Sequence, residues 1–299
     1  MIAGKRAGAA VDADTCLNIF IGCNSGAAAN EGDKNVFIGG YTGCSVTSGS
    51  NNVAIGDCSL SCNVSGDYNV ALGVQAGKKY AGANGCNIYI GLRAGCGGSG
   101  TVDGVNNIMI GMNSGMAIDG GDNNIFMGCY AAKTVSSGSG NIMLGDEAGC
   151  ALTTGTDNIG LGHKSMGTGT VTGNCNIALG TQAGTKISSG QYNVFFGKYA
   201  GWGNTSGHCN IAIGCNAGKG ITTATENISI GGLGLQSAAG NMNVQIGRYG
   251  QFYMCGACNI SLGQNTMQGT TTAADNLGHS NIALGKSCLL YTSPSPRDS

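Results

Sequence analysis

The sequence predicts an all-β solenoid, a β-roll of about sixteen stacked coils, each roughly 16–22 residues long. Three observations predict it. One five-residue pattern recurs sixteen times: Asn, then Ile or Val, a variable residue, an apolar residue, and Gly. The spacing is about 17 residues throughout, as in stacked supersecondary units rather than in a globular enzyme. Gly accounts for 57 of 299 residues and Pro for 2, without the strict third-residue Gly of collagen.

The repeat starts at Asn18, Asn35, Asn52, Asn69, Asn87, Asn107, Asn124, Asn141, Asn158, Asn176, Asn193, Asn210, Asn227, Asn243, Asn259 and Asn281. Within each copy the apolar residues are two apart and share one face of a strand. In the coil from Asn176, Ile177 and Leu179 share that face and Ala178 points the other way. Gly180 ends the strand, where φ must be positive or a side chain would clash. Ala183-Gly184 marks a second corner and Ser188-Ser189-Gly190 a turn. Three or four glycines per coil, each costing about 1 kcal/mol in a helix, exclude helices. The expected coil is two short strands and two turns. The asparagines stack as a structural ladder of side-chain amides. The sequons at Asn63, Asn204, Asn227 and Asn259 are by-products of this placement, not glycosylation sites.

The variable slot runs Phe20, Phe37, Ala54, Ala71, Tyr89, Met109, Phe126, Met143, Gly160, Ala178, Phe195, Ala212, Ser229, Gln245, Ser261 and Ala283. Opposite it, Ile, Val and Leu are nearly unbroken. A single coil needs one buried face, so a second apolar face implies a partner, most simply more copies of the chain.

Residues 1–17 read as a lead-in, 18–287 as the repeat domain, and 288–299 as foreign to it. The last segment, Cys288-Leu289-Leu290-Tyr291-Thr292-Ser293-Pro294-Ser295-Pro296-Arg297-Asp298, holds both prolines and resembles a translated sequencing-library adapter. On that reading the frame is truncated and a C-terminal domain is lost.

Charged residues are 10% of the chain and the formal net charge is −1. That leaves no electrostatic footprint for nucleic acid. No apolar run reaches the roughly 18 residues that membrane insertion needs. The start, Met1-Ile2-Ala3-Gly4-Lys5-Arg6, lacks an apolar signal core. The fifteen cysteines fall at scattered positions, never at one offset in two neighbouring coils. They read as small buried thiols in place of Ala or Ser.

Catalytic and cofactor chemistry is not expected. His163, His208 and His279 lie in different coils at different offsets. Cys255-Gly256-Ala257-Cys258 lacks the second pair of a zinc site. Gly95–Gly100 lacks the Lys-Ser/Thr of a phosphate loop. Asp119 and Asp122 hint at Ca²⁺ without the nonapeptide calcium repeat. No metal site or cofactor is expected.

Asn-Ile-Ala-Leu-Gly-Thr-Gln-Ala-Gly at 176–184 and Asn-Ile-Ala-Ile-Gly-Cys-Asn-Ala-Gly at 210–218 resemble the Asn-x-Ala-Ile-Gly-x-x-Ala-Gly repeats of phage tail-fibre and tailspike proteins. They are similar, more distantly, to head repeats of trimeric autotransporter adhesins. The resemblance covers 18–287. It implies a parallel homotrimer, a virion location after assembly in the host cytoplasm, and attachment to a host-surface glycan or protein receptor. Receptor-contact candidates are aromatic residues on turns: Tyr80, Trp202, Tyr249, Phe252 and Tyr253. A cellular surface adhesin and a monomeric ice- or ligand-binding solenoid are the competing readings.

Overall fold

The computed structural model describes residues 1–12, 15–82, 85–98, 102–236, 240–251, 255–269 and 278–288. It is all-β, with no helix among the described residues. The chain divides into two compact units, Met1–Gly155 and Thr156–Ser299.

The first unit carries β1 (Ile2–Ala3), β2 (Ile19–Ile21), β3 (Val36–Ile38), β4 (Val53–Ile55), β5 (Val70–Leu72), β6 (Ile88–Ile90), β7 (Ile108–Ile110), β8 (Ile125–Met127) and β9 (Ile142–Leu144). The second carries β10 (Ile159–Leu161), β11 (Ile177–Leu179), β12 (Val194–Phe196), β13 (Ile211–Ile213), β14 (Ile228–Ile230), β15 (Val244–Ile246), β16 (Ile260–Leu262) and β17 (Ile282–Leu284). In each unit consecutive strands pair in parallel, and every repeat residue faces its equivalent in the next coil. Val36 faces Val53 and Phe37 faces Ala54; Ile177 faces Val194 and Ala178 faces Phe195. The repeat register starts one period before the first Asn-led strand, because Ile2 pairs with Phe20 and Ala3 with Ile21.

The coil has one strand where two were expected. Among the described residues, those six and eight after each Asn are left-handed, as at Gln182 (φ 56°) and Gly184 (φ 57°), and they break up extended backbone. Their amides still bond from coil to coil: Gln182 N–H donates to His163 O at 2.9 Å and Gly184 N–H to Ala200 O at 2.9 Å. The residue before each Asn is also left-handed, as at Tyr68 (φ 57°), Cys175 (φ 58°) and Tyr192 (φ 58°). A non-Gly residue there costs roughly 1–2 kcal/mol, so the stack must supply it at every corner.

The Gly that ends each strand is a steric necessity, and the Gly eight after the Asn is one only in coils whose core is already filled by other side chains. At Gly56 (φ 134°) a Cβ would lie 2.5 Å from Gly73 O, and at Gly197 (φ 129°) 2.6 Å from Gly214 O. At Gly43 a Cβ would lie 2.6 Å from Phe37 Cε2, inside the core.

The core is the variable slot. Phe20, Phe37, Ala54, Tyr89, Met109, Phe126 and Phe195 are fully buried, and Phe20 stacks on Phe37 at 5.3 Å. The slot therefore faces inward, and the nearly unbroken Ile/Val/Leu face is the outer one. Volume is traded within coils, as close packing requires. Where the slot is small, a large residue sits six positions later: Leu60 after Ala54, Met166 after Gly160, Leu235 after Ser229, Met267 after Ser261. Elsewhere the residue nine positions later fills the space: Tyr80 after Ala71, Ile187 after Ala178, Ile221 after Ala212.

Candidate functional site

The asparagine column is a closed hydrogen-bond device. Asn35 Oδ1 accepts from Asn52 N–H (3.0 Å) and from Asn52 Nδ2 (3.1 Å). Asn52 Nδ2 donates its second hydrogen to Gly66 O at 2.8 Å. Asn52 Oδ1 in turn accepts from Asn69 N–H and Nδ2. Both donors and both lone pairs of the amide are used. The unit containing Asn176 repeats this at Asn193, Asn210 and Asn227. The recurrent Gly fourteen residues after the Asn is thus the acceptor that closes its coil, as Gly121, Gly138, Gly190 and Gly207 do. Fourteen of the sixteen asparagines are buried, and Asn18 and Asn281 are half-buried. The column is out of reach of a ligand. Asn63 and Asn204 are also buried, so none of the four sequons offers an accessible amide.

A second column, not foreseen in the sequence, lies two residues before the Asn. Its side chain accepts the N–H of the equivalent residue one coil earlier. Cys16 N–H donates to Asp33 Oδ1 (2.8 Å), Ser50 N–H to Asp67 Oδ1 (2.7 Å) and Val105 N–H to Asp122 Oδ1 (2.8 Å). In the second unit His208 Nδ1 accepts from Gln191 N–H (3.1 Å) and His279 Nδ1 from Ala257 N–H (3.0 Å). Two of the three histidines and Asp122 are therefore backbone acceptors. Asp119 Oδ1 likewise accepts from Gly98 N–H at 3.1 Å. The signal was available as a run of Asp, Ser, Asn and His at one offset.

The cysteines depart from the expected burial. Eight of the fifteen are exposed, six are half-buried, and only Cys96 is buried; none is in a disulfide. Small turn positions face solvent in this coil, so a thiol there is not a core residue. Burial first, then the charge of Asp57, pushes the Cys58 thiol up; burial, then Asp146 and Glu147, does the same at Cys129. Both shifts disfavour the thiolate, the reactive form.

Tyr80 is not a surface residue. It is fully buried, its ring 6.4 Å from that of Tyr89, and burial pushes its hydroxyl up to about 12. Its position, eleven after Asn69, is the core position that holds Ile118, Val135, Leu152, Ile187 and Ile221 in other coils. The neighbouring Lys78-Lys79 made it look like a turn. Phe252 and Tyr253 lie outside the described residues. Tyr249 is half-buried, with Arg248 Cζ 4.7 Å from its ring centroid.

Trp202 is on the surface, half-buried, and at the centre of a cluster that the sequence did not reveal. Lys186 Nζ sits 3.8 Å from its ring centroid and Lys219 Nζ 5.6 Å away. Tyr199 lies beside it, with Lys198 Nζ at 5.2 Å and Lys219 Nζ at 5.9 Å. These residues come from three consecutive coils, the three lysines at three different offsets, so only stacking brings them together. The first unit has a related pair, Lys133 Nζ 5.0 Å from the Tyr130 ring, but there Glu147 lines the same cleft.

The outer strand face is apolar and half-buried to exposed. Two apolar columns, mostly Ile, Val and Leu, follow the strands of each unit. They include Ile19, Ile55, Met127, Phe196, Ile246, Ile282 and Leu284, all more than one-third exposed. No helix among the described residues is long and apolar enough to cross a membrane. No protein-family model, curated protein or solved structure matches the chain.

Proposed function

We propose that the chain is a structural and adhesive fibre segment of a virion, of phage tail-fibre or tailspike type. It is assembled as a parallel homotrimer and presents its turns to a receptor on the host surface. The observation that carries this reading is the outer strand face. Isolated surface apolar residues need no explanation, but two continuous columns following every strand of a unit do. Identical parallel chains set side by side would bury these columns against themselves. The turns would stay outside, free to vary without disturbing the ladder. The phage-fibre resemblance at 176–184 and 210–218 supports the same reading. The solenoid provides the stiffness that a fibre needs, because every backbone corner is tied to the coils next to it.

The test is adsorption. Fluorescently labelled chain is incubated with a panel of intact bacterial cells, before and after removal of surface glycans and surface proteins. Saturable binding to some strains, abolished by one of the two treatments, is the expected result. Binding to none of a broad panel, by chain that is folded, contradicts the adhesive role.

A further inference from the structure

We infer that the Lys186–Lys198–Lys219 cluster around Tyr199 and Trp202 is a binding site for an acidic saccharide, one carrying carboxylate or sulfate groups. The inference deepens the fibre reading by naming the receptor class, but the site itself does not depend on it.

Charge distribution points there first. Between Asp157 and Glu226 the chain has not a single Asp or Glu, and the same stretch holds Lys164, Lys186, Lys198 and Lys219. The chain as a whole is close to neutral, so this is a local separation of charge. Like charges set this close repel, and no carboxylate of the same stretch can offset them. An anion from outside can.

Geometry comes next. Lys186 and Lys219 flank Trp202 from the coils on either side of it, and Lys198 and Lys219 both approach Tyr199. The backbone beneath is fixed. Lys186 N–H donates to Trp202 O, Gly203 N–H to Lys219 O at 3.1 Å, and Asn216 N–H to Lys198 O at 2.9 Å. A free Lys side chain surrenders up to ~2 kcal/mol of rotamer entropy when it is fixed. Rings that already hold the ammonium heads reduce that cost before the ligand arrives. Lys186 and Lys219 belong to coils two steps apart, roughly 10 Å along the stack. That spacing suits a chain with repeated charge better than a single small anion.

The same geometry argues against other ligands. Lys186 lies over the indole ring, so one of its faces is already taken by a cation and is not open for stacking on a neutral sugar or a base. Nucleic acid calls for a basic stripe along the backbone path and open aromatic platforms. Here the basic region ends at Glu226. Hydrated ammonium point charges, rather than planar guanidinium forks, suit carboxylates and sulfates scattered among hydroxyls.

Trp202 is the only tryptophan of the chain, so its fluorescence reports on this site alone. The probes are an oligogalacturonate hexamer, a heparin-derived hexasaccharide, neutral maltohexaose and a single-stranded hexadeoxynucleotide. The expected result is a saturable emission change with one or both acidic saccharides, weakening as salt rises. In the double variant Lys186→Gln/Lys219→Gln the affinity falls by about tenfold or more, with an unchanged melting temperature. Three outcomes overturn the inference: no response to either acidic saccharide, equal or tighter binding of maltohexaose or the oligonucleotide, or undiminished binding by the folded double variant. Any of these leaves cell adsorption and chain mass untouched, so a failure here is distinct from a failure of the fibre reading.

Discussion

The two units share one backbone plan and differ in what they hang on it. Residues 1–155 contain 7 Lys and Arg against 11 Asp and Glu, a formal charge of −4; residues 156–299 contain 7 against 4, a charge of +3. Their interiors differ too. The first unit encloses Phe20, Phe37, Tyr80, Tyr89 and Phe126, whereas Phe195 is the one fully buried ring among the described residues of the second. Its later coils bury Ser229, Gln245, Gln251, Ser261 and Thr266 instead. Ser229 Oγ donates to Gln245 Oε1 at 2.8 Å, and Gln251 Nε2 to Val244 O at 3.1 Å. The Asn and Gly columns are the same in both. The frame is thus specified by a few positions per coil. Charge and core volume are left free to differ from coil to coil.

Breaking the frame should hurt both units alike. Gly56→Val and Gly197→Val each force a Cβ into the carbonyl of the next coil, and each should cost on the order of 4 kcal/mol or more. Thermal melts followed by circular dichroism check this; a mild effect in either unit would show that the close approach is not needed there.

Removing one rung is the next largest change. Asn124→Ala leaves Gly138 O without its donor and takes the Asn124 Oδ1 acceptor away from the N–H and Nδ2 of Asn141. With each unmade buried bond worth ~1–3 kcal/mol, a loss of roughly 3 kcal/mol is expected. Asn210→Ala should lose a similar amount in the second unit. Denaturant midpoints would separate equal losses from unequal ones.

The interiors should break the symmetry. Opening free energies from native-state hydrogen exchange should be lower by a few kcal/mol for amides of 227–268 than for those of 36–130, because fewer large apolar groups leave water there. Uniform protection along the chain would remove the contrast.

A smaller effect singles out the first unit. Burial pushes the Tyr80 hydroxyl up to about 12 and the Tyr89 hydroxyl above the ordinary tyrosine range. Both folded values exceed the unfolded value near 10. The unfolded chain therefore loses these protons first as pH rises. The stability from burying neutral tyrosines is complete below pH 10 and is lost from there upward. Tyr89→Phe should raise the alkaline unfolding midpoint. At neutral pH it should be neutral or stabilising by up to ~1 kcal/mol, because the Tyr89 hydroxyl has no hydrogen-bond partner.

Much of this frame was legible in the sequence because its causes are local. An Asn every seventeen residues, followed by alternating apolar residues and a Gly, dictates stacked parallel coils. The turn role of Gly180 and the ladder role of the asparagines follow from the same five residues. What was not legible depends on the third dimension. Alternation separates the faces of a strand, but when both are apolar it does not say which is inside; Ala178 and Phe195 faced the core and Ile177 the outside. Tyr80 looked exposed beside two lysines, although aligning the coils would have placed it in a column with Ile118 and Leu152. The second expected strand failed because left-handed residues such as Gln182 and Tyr199 carry no strong sequence mark. The Lys186, Lys198 and Lys219 cluster was hidden because its members occupy three different offsets.

The inside-out assignment of the strand faces is the claim on which the rest depends. Its most direct test is light scattering after gel filtration, on the purified chain and on Ile211→Lys, a change confined to the outer face. The expected result is a particle of three times the chain's 29.7 kDa, and a folded single chain for the variant. A well-folded wild-type particle of 29.7 kDa would leave the outer columns in water and contradict the assembly through that face.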